Sequence, residues 1–520
     1  MTPEALLNLA CKGLPKVGRI IEQYEDLCLP DYLETLVPGA GTPSYQPMKD
    51  LLEVVYQYIE PLLGQDAAKM AVQDLEAHPV VLTASHFGVE YFPQTFQGRL
   101  IFSLLALKKK ISASTLITFA CGNIPLNNAV FPRGALISQA GLENIDHLSG
   151  RLPIFPDRLK RSIVSAAPAF DREMLDRAGA RFSRMAKGQN IPAGVCDALD
   201  FILEEIYKNS SVLGLSSYSD QSVVVNHLIW KLIFKGMDNA PDSICLEFEK
   251  IAGRLLEFDL FNPQSLAGLI LFDPNLRCGV LAELDGVSGC WSLNPHKQQR
   301  AVSCKGEKQG DMPSNCGTVF FWGIDDTGRK LSLNLEARGS GIPSFFGLDD
   351  KGRSREWPCT PESLQTGISE GRLIPSMFLC FAVLLFARGL TCIGGYFQGE
   401  YLPAMQKGLA RALGKSRKYE TLAGFIAQAR TDAYLDGMLA VMARVGDHLV
   451  PAGPLELAAG KGMILADMDR LSRLTVREAH LADLFDTLQD ALPANTLPHG
   501  WKRQLARDTF RSLKDKVVMK

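Results

Sequence analysis

PVVLTA (residues 79–84) is a short apolar run rich in β-branched residues, and LITFA (residues 116–120) repeats the pattern after an intervening helical stretch. Short buried runs that alternate with helices are typical of an α/β layer with some parallel pairing. Residues 51–62 instead repeat apolar side chains at three- and four-residue spacing, which predicts a helix before the first strand. The spacing of apolar residues therefore changes near His78, from a pattern typical of a helix to one typical of a strand.

Beyond this layer the sequence predicts a second strand-rich stretch followed by helices. Further strands are predicted at residues 152–155, 163–166, 269–272, 279–282, 318–322 and 331–335. DDTGR (residues 325–329) is predicted to be the turn of a hairpin, and DDKGR (residues 349–353) resembles a second hairpin tip. From Pro361 onward the pattern is mostly helical. The apolar run 374–387 predicts a buried helix, because it is shorter than the roughly 20 residues that cross a membrane.

These patterns predict an α/β protein with a mixed sheet core flanked by helices. We expect a helical N-terminal segment and an all-helical C-terminal region around that core. The predicted division is a helical segment at residues 1–76, an α/β domain with the candidate site at 77–240, a strand-rich part of the core at 241–360 and a helical region at 361–520. A chain of 520 residues has room for such a division at roughly 150 residues per domain.

The composition is that of an ordinary globular chain. It includes 55 basic and 57 acidic residues, for a formal net charge of -2, so no protein-wide positive field favours nucleic acid as a partner. The N terminus shows no continuous apolar segment with a cleavage site, and the 12 cysteines include no CxxC pair. These features predict a cytoplasmic protein with reduced thiols.

Several catalytic signatures are absent from the sequence. It has no G-x-S-x-G, no HExxH and no phosphate-binding G-x-x-x-x-G-K-[ST], which argues against serine hydrolases, zincins and P-loop NTPases. Four cysteines and a nearby histidine suggest a zinc site at first: Cys278, Cys290, Cys304, Cys316 and His296. Their spacing is too wide for the paired ligands of structural zinc, so we expect no metal.

A histidine and a glutamate follow the first predicted strand. His86 and Glu90 are four positions apart in SHFGVE (residues 85–90). If the chain turns into a helix there, both side chains lie on one face, where Glu90 could fix the imidazole tautomer while His86 takes a proton. This general-base dyad is the candidate catalytic pair. The alternative is a histidine that caps a helix and pairs with a surface glutamate.

Two later blocks contain groups suited to an anion. The loop at residues 122–134 is rich in asparagine, and the block at residues 152–162 has three basic residues in four positions. Amide groups and arginine forks bind carboxylates, phosphates and developing oxyanions. The candidate substrate-binding residues are Asn123, Asn127, Asn128, Arg133, Arg158 and Arg161. The alternatives are asparagines that close turns and a solvated basic turn.

Over about residues 79–170 the order of these blocks remotely resembles the glycerolipid (lysophospholipid-type) acyltransferases. That family has His-x4-Asp after a strand, a loop with a substrate-binding arginine, and Phe-Pro-Glu-Gly-Thr-Arg-Ser. The matching blocks here are His-x3-Glu at residues 86–90, the loop with Arg133, and residues 155–162. The resemblance implies that His86 deprotonates the acceptor hydroxyl, that Glu90 orients His86, and that Arg133 and Arg161 hold the acceptor's phosphate or carboxylate.

The sequence therefore predicts an acyltransferase-like enzyme that moves an acyl group from a thioester donor to a hydroxyl or amine of an anionic small-molecule acceptor. No cofactor is expected, and acyl-CoA or an acyl-carrier protein is the implied donor. The alternative is a non-catalytic binding protein for an anionic metabolite or an acidic carrier protein. The basic segment 501–520 predicts an amphipathic helix that could face an acidic carrier protein or an anionic lipid surface, or else dock on its own protein.

Overall fold

The computed structural model describes residues 2–37, 44–108, 115–138, 149–188, 191–292, 317–337, 341–445, 448–492, 497 and 500–520. Its strands are β1 (Val80–Leu82), β2 (Thr115–Ala120), β3 (Gly134–Ser138), β4 (Ser149–Pro153), β5 (Asp242–Glu247), β6 (Phe321–Ile324), β7 (Lys330–Ser332), β8 (Asn334–Ala337), β9 (Pro343–Leu348), β10 (Ser354–Pro358), β11 (Leu373–Pro375), β12 (Thr391–Gly395), β13 (Tyr434–Asp436), β14 (Val441–Val445), β15 (His448–Pro451) and β16 (Val518–Met519).

The helices of the first half are α1 (Pro3–Gly13), α2 (Pro15–Tyr24), α3 (Leu29–Leu36), α4 (Lys49–Leu63), α5 (Gln65–Ala77), α6 (Pro93–Lys108), α7 (Arg172–Gly188), α8 (Ala193–Phe201), α9 (Ser210–Leu213), α10 (Tyr218–Ile233) and α11 (Phe248–Asp259). Those of the second half are α12 (Leu266–Phe272), α13 (Pro274–Glu283), α14 (Pro361–Ser369), α15 (Met377–Phe381), α16 (Tyr396–Gly414), α17 (Glu420–Gln428), α18 (Pro454–Ala459), α19 (Leu465–Leu471), α20 (Val476–Ala491) and α21 (Trp501–Leu513). In the described part of the chain, none of these helices combines the length and apolarity that crossing a bilayer requires.

A parallel sheet of order β13-β12-β1-β2-β5 lies at the centre of the fold. Its strands β1 and β2 are buried along their whole length, which explains why their sequences are continuous apolar runs rather than alternating ones. The mixed α/β class expected from the sequence is confirmed. Smaller antiparallel pairings surround this sheet, including the β3–β4 pair and the β6–β7 hairpin.

The expected all-helical C-terminal region is wrong. Two strands of the central sheet, β12 and β13, come from it, and β12 pairs directly with β1 through Val80 and Thr391. The partner of β12 is about 300 residues away in sequence, so local spacing gave no sign of this pairing. The sheet draws its strands from three of the four predicted segments, and those segments therefore share one core.

Three of the predicted strands are helical in the structure. Residues 269–272 belong to α12, residues 279–282 belong to α13, and Val164–Ala166, within the predicted strand 163–166, form a 3₁₀ turn. The helices are set by their first residues: the Ser265 hydroxyl accepts a hydrogen bond from Gly268 N, and Asp273 caps α13 immediately before Pro274. Short apolar runs are ambiguous in period, and these capping residues resolve the ambiguity in favour of helix.

Other local predictions agree with the structure. The DDTGR turn joins β6 to β7 as an antiparallel hairpin. The apolar run after Pro375 forms α15 and a following π-helical turn (Ala382–Phe386), and both are buried. The basic C-terminal helix is α21, whose apolar residues Leu505 and Leu513 are buried against the rest of the chain. Its apolar stripe is therefore already covered by its own protein.

Candidate functional site

The carboxyl ends of β1, β2 and β5 meet at one edge of the central sheet, as parallel strands require. His86 follows β1, Cys121 follows β2, and Glu249 follows β5 at the start of α11. Lys330, the first residue of β7, lies above them. We call His86, Cys121, Asn123, Glu249 and Lys330 the edge cluster.

Glu249 is the buried centre of the edge cluster, with only 2% of its surface exposed. The Cys121 thiol donates a hydrogen bond to Glu249 Oε1 over 3.1 Å, and Asn123 Nδ2 donates to the same oxygen over 2.7 Å. The backbone N–H of Gly122 donates to Glu249 Oε2 over 2.7 Å. The carboxylate therefore binds the thiol and the loop after β2 together, and among the described residues it forms no ion pair.

The chemical state of this thiol follows from its surroundings. Burial, and then the charge of Glu249, raises the pKa of Cys121 well above its ordinary value, while Lys330 lowers it. Burial, and then the neighbouring carboxylate Glu247, raises the pKa of Glu249. At neutral pH the thiol therefore keeps its proton, and the carboxylate that receives its hydrogen bond is a stronger base than an ordinary glutamate.

His86 lies beside Cys121. The two residues form a parallel β-bridge, in which Cys121 N donates to Ser85 O over 2.9 Å and Phe87 N donates to Cys121 O over 2.8 Å. Residues paired across parallel strands place their side chains on the same face of the sheet. Burial, and then the positive charge of Lys330, lowers the pKa of His86 to about 4, although a hydrogen bond with Asn128 opposes the shift. The imidazole is therefore neutral at pH 7.

Lys330 is brought to the site by the DDTGR turn. The Asp325 carboxylate accepts hydrogen bonds from Thr327 N and Arg329 N, which closes the turn, and Gly328 adopts a φ of 75° that favours glycine. The exposed Lys330 Nζ reaches Asn123 Oδ1 over 3.5 Å and lies 4.4 Å from the centre of the Trp322 ring. The cluster thus includes a cation that faces solvent.

The expected helix over His86 and Glu90 does not form. Residues 87–89 are irregular, Gly88 has a φ of 127°, and α6 begins only at Pro93. The Glu90 carboxylate instead forms a buried ion pair with Arg99 and a hydrogen bond with the Thr95 hydroxyl. No hydrogen bond in the described structure joins Glu90 to His86, so the expected dyad is absent from the geometry.

Glu90 and Arg99 belong to a second group of buried polar side chains. Gln94 of α6 donates to both carboxylate oxygens of Asp483 in α20, over 3.1 and 2.9 Å. His480, also in α20, hydrogen bonds to Val476 O over 2.7 Å. All of these side chains are nearly inaccessible to solvent. We call Glu90, Gln94, Arg99, His480 and Asp483 the inner polar layer.

The predicted asparagines are divided between the site and the surface. Asn123 is part of the edge cluster, and Asn128 contacts the imidazole of His86. The Asn127 side chain is exposed, and its backbone N–H donates to Lys160 O over 3.0 Å. The structure therefore brings two of the three asparagines to the histidine and the thiol.

The predicted arginines either bind groups of the chain itself or lie exposed on the surface. Arg133 is buried, donates through Nε to Phe155 O over 2.8 Å, and forms an ion pair with Asp157. It therefore joins the second and third blocks, which also pair through Leu126 N and Ser162 O at 2.9 Å. Arg158 is exposed, and Arg161 is an exposed partner of Asp350 at 3.3 Å. The guanidinium groups of Arg133 and Arg161 already have acceptors within the chain.

Three members of the edge cluster were not predicted as site residues: Cys121, Glu249 and Lys330. Cys121 immediately follows the predicted strand LITFA, and this position is a recognisable signal in the sequence. Glu249 gave no signal, because the strand before it was not predicted. Lys330 directly follows the predicted hairpin turn, but nothing local shows that this turn packs over the sheet.

No group of three metal-binding side chains occurs among the residues that the structure describes. Of the five widely spaced cysteine and histidine positions, Cys304, Cys316 and His296 lie outside the described residues. The described part of the chain therefore offers no ready-made metal ligand set.

Comparison of the chain with protein-family models, with curated proteins and with solved structures gives no match.

Proposed function

We propose that the chain is an acyltransferase-like enzyme that moves an acyl group from a thioester donor to a hydroxyl or amine of an anionic small-molecule acceptor. One observation supports this most directly. His86 is a partly exposed imidazole at the ligand-binding edge of an α/β sheet, beside the amide of Asn128 and the cation Lys330. A neutral imidazole in that position can take the proton of an attacking hydroxyl or amine.

The charges near His86 favour an anionic acceptor. The exposed ammonium of Lys330 can pair with a phosphate or carboxylate, and the exposed Arg158 lies on the block that pairs with the asparagine loop. Glu90 has no part in this proposal, because Arg99 already neutralises it. Acyl-CoA or an acyl-carrier protein would supply the acyl group, so no bound cofactor is needed.

The proposal is tested by acceptor-dependent thiol release. Purified protein is mixed with acetyl-CoA or palmitoyl-CoA, and glycerol 3-phosphate or phosphoethanolamine is added as an anionic hydroxyl or amine. We expect free CoA to appear faster when an acceptor is present, and we expect His86→Asn to slow this release about 10²- to 10⁴-fold, the usual contribution of a general base.

His480→Gln is the matched control, because His480 also has a pKa lowered to about 4 but is buried in the inner polar layer, away from the edge cluster. It should retain the rate of the unmodified protein. If neither donor is consumed with either acceptor, the transferase proposal is wrong. Calorimetric binding of the acceptors without turnover would then favour the alternative, a binding protein for anionic metabolites.

A further inference from the structure

We infer that Cys121 becomes covalently acylated during this transfer, with Glu249 as the base that removes its proton. The inference rests on the proposed function and adds to it a nucleophile and a second proton acceptor. It assigns the reaction to a two-step class, in which the enzyme carries the acyl group as a thioester between donor and acceptor.

The first support is the contact between the thiol and the carboxylate. A nucleophile and its base must lie within hydrogen-bond reach, and the Cys121 Sγ to Glu249 Oε1 distance of 3.1 Å meets that requirement. The base is held in place by Gly122 N and by Asn123 Nδ2, each at 2.7 Å. The carboxylate cannot rotate away from the thiol without breaking these bonds.

The second support is the difference in access between the members of the cluster. Cys121 is partly exposed, whereas Glu249 lies beneath it with 2% of its surface exposed. A donor that approaches from solvent therefore meets the sulfur before it meets the carboxylate. Lys330 is exposed near the thiol, and its positive charge lies where negative charge would develop on the carbonyl oxygen of the donor.

The two half-reactions balance with these groups alone. In the first, the Cys121 sulfur forms a bond to the acyl carbon, the donor's carbon–sulfur bond breaks, and the thiol proton passes through Glu249 to the departing thiolate. In the second, the acceptor oxygen or nitrogen bonds to the acyl carbon and the bond to Cys121 breaks. The acceptor proton passes to His86 and then to the Cys121 thiolate beside it.

The low basicity of His86 fits the second half-reaction. Burial and Lys330 hold its pKa at about 4, so the protonated imidazole gives up its proton readily. The parallel bridge places Cys121 next to it to receive that proton. Glu249 and His86 therefore divide the two proton transfers between them.

The experiment is to trap the acylated protein with p-nitrophenyl acetate and with acetyl-CoA, and to locate the acetyl group by intact mass and peptide mapping. We expect a single acetyl group on Cys121 in the unmodified protein. His86→Asn should accumulate this adduct, because the second half-reaction is slowed, and Glu249→Gln should form it about 10²- to 10⁴-fold more slowly. Cys278→Ala, at an exposed cysteine outside the cluster, is the control and should be acylated normally.

The outcomes separate this inference from the proposed function. Acceptor-dependent turnover that persists in Cys121→Ala, with no adduct in His86→Asn, overturns the covalent step and leaves the transferase proposal standing. An adduct that forms equally fast in Glu249→Gln overturns the role of Glu249. Absence of both turnover and adduct in the unmodified protein removes the inference together with the function on which it rests.

Discussion

The inner polar layer and the edge cluster each contain a buried glutamate near the same sheet, but the two glutamates have different partners. Glu90 is neutralised by Arg99 in an ion pair that is almost completely shielded from solvent. Glu249 has no such cation among the described residues and instead accepts hydrogen bonds from a thiol, an amide and the backbone. The difference teaches that burial alone does not identify a functional carboxylate. A charge that is fully paired is neutralised within the fold, whereas one that faces a reactive group is available for chemistry.

The largest expected effect comes from breaking the ion pair of the inner polar layer. Arg99→Met should leave Glu90 buried without its cation and lower the free energy of unfolding by about 3–5 kcal/mol. Urea unfolding measures this loss. The double variant Arg99→Met/Glu90→Gln should recover part of it, because the uncompensated charge is then removed. A single variant as stable as the unmodified protein would show that Glu90 does not depend on Arg99.

A smaller effect is expected from acid, because the pKa values of His480 and His86 are both lowered. Burial lowers the pKa of His480 from 6.5 to about 4, so the unfolded chain binds the proton first as the pH falls. This contribution to stability is fully present above pH 6.5 and is lost as the pH falls toward 4. By pH 4.5 the stability lost in this way amounts to roughly 2–3 kcal/mol.

His480→Gln should therefore unfold with a weaker dependence on pH than the unmodified protein when urea titrations at pH 7 and pH 4.5 are compared. The matching change His86→Asn should weaken the pH dependence in the same direction, because the pKa of His86 is also lowered to about 4. Equal pH dependence in all three proteins would contradict the assignment of His480 as a neutral buried histidine.

The smallest expected effect concerns the two similar hairpin tips. Asp325 and Asp349 each accept hydrogen bonds from the backbone two and four residues later, so Asp325→Ala and Asp349→Ala should each cost ~1 kcal/mol. Only the first turn is followed by Lys330. Iodoacetamide should therefore alkylate Cys121 more slowly in Asp325→Ala, where the nearby positive charge is displaced, and at an unchanged rate in Asp349→Ala. Equal rates in the two variants would show that the turn does not govern Lys330.

The sequence was sufficient for β1, β2 and the β6–β7 hairpin, because each has a local signal: an apolar β-branched run or a turn with Asp and Gly at the required positions. It was not sufficient for β12, which contains two glycines and whose partner β1 is remote in the chain. The segments that form α12 and α13 were predicted as strands, because the prediction gave more weight to their short apolar runs than to the capping residues that precede the helices.

The candidate site was predicted in position but not in its contacts. His86 does lie at the sheet edge, with Asn123 and Asn128 near it. Glu90 seemed the natural partner because it is near in sequence, yet the irregular backbone at Gly88 turns the chain before a helix begins. Glu249 is remote in sequence, and a glutamate is rarely expected in the interior. Pairing between strands, rather than local spacing, decides which carboxylate reaches the cluster.

The position of β1 between β2 and β12 has a consequence for the synthesis of this protein. The ribosome synthesises β1 and β2 before β12, so one side of β1 has no neighbour in this sheet until residues 391–395 have emerged. An unpaired strand edge on a growing chain is prone to aggregation. The central sheet therefore cannot be completed until β12 and β13 have been synthesised, and until then this edge of β1 is open to pairing with other chains.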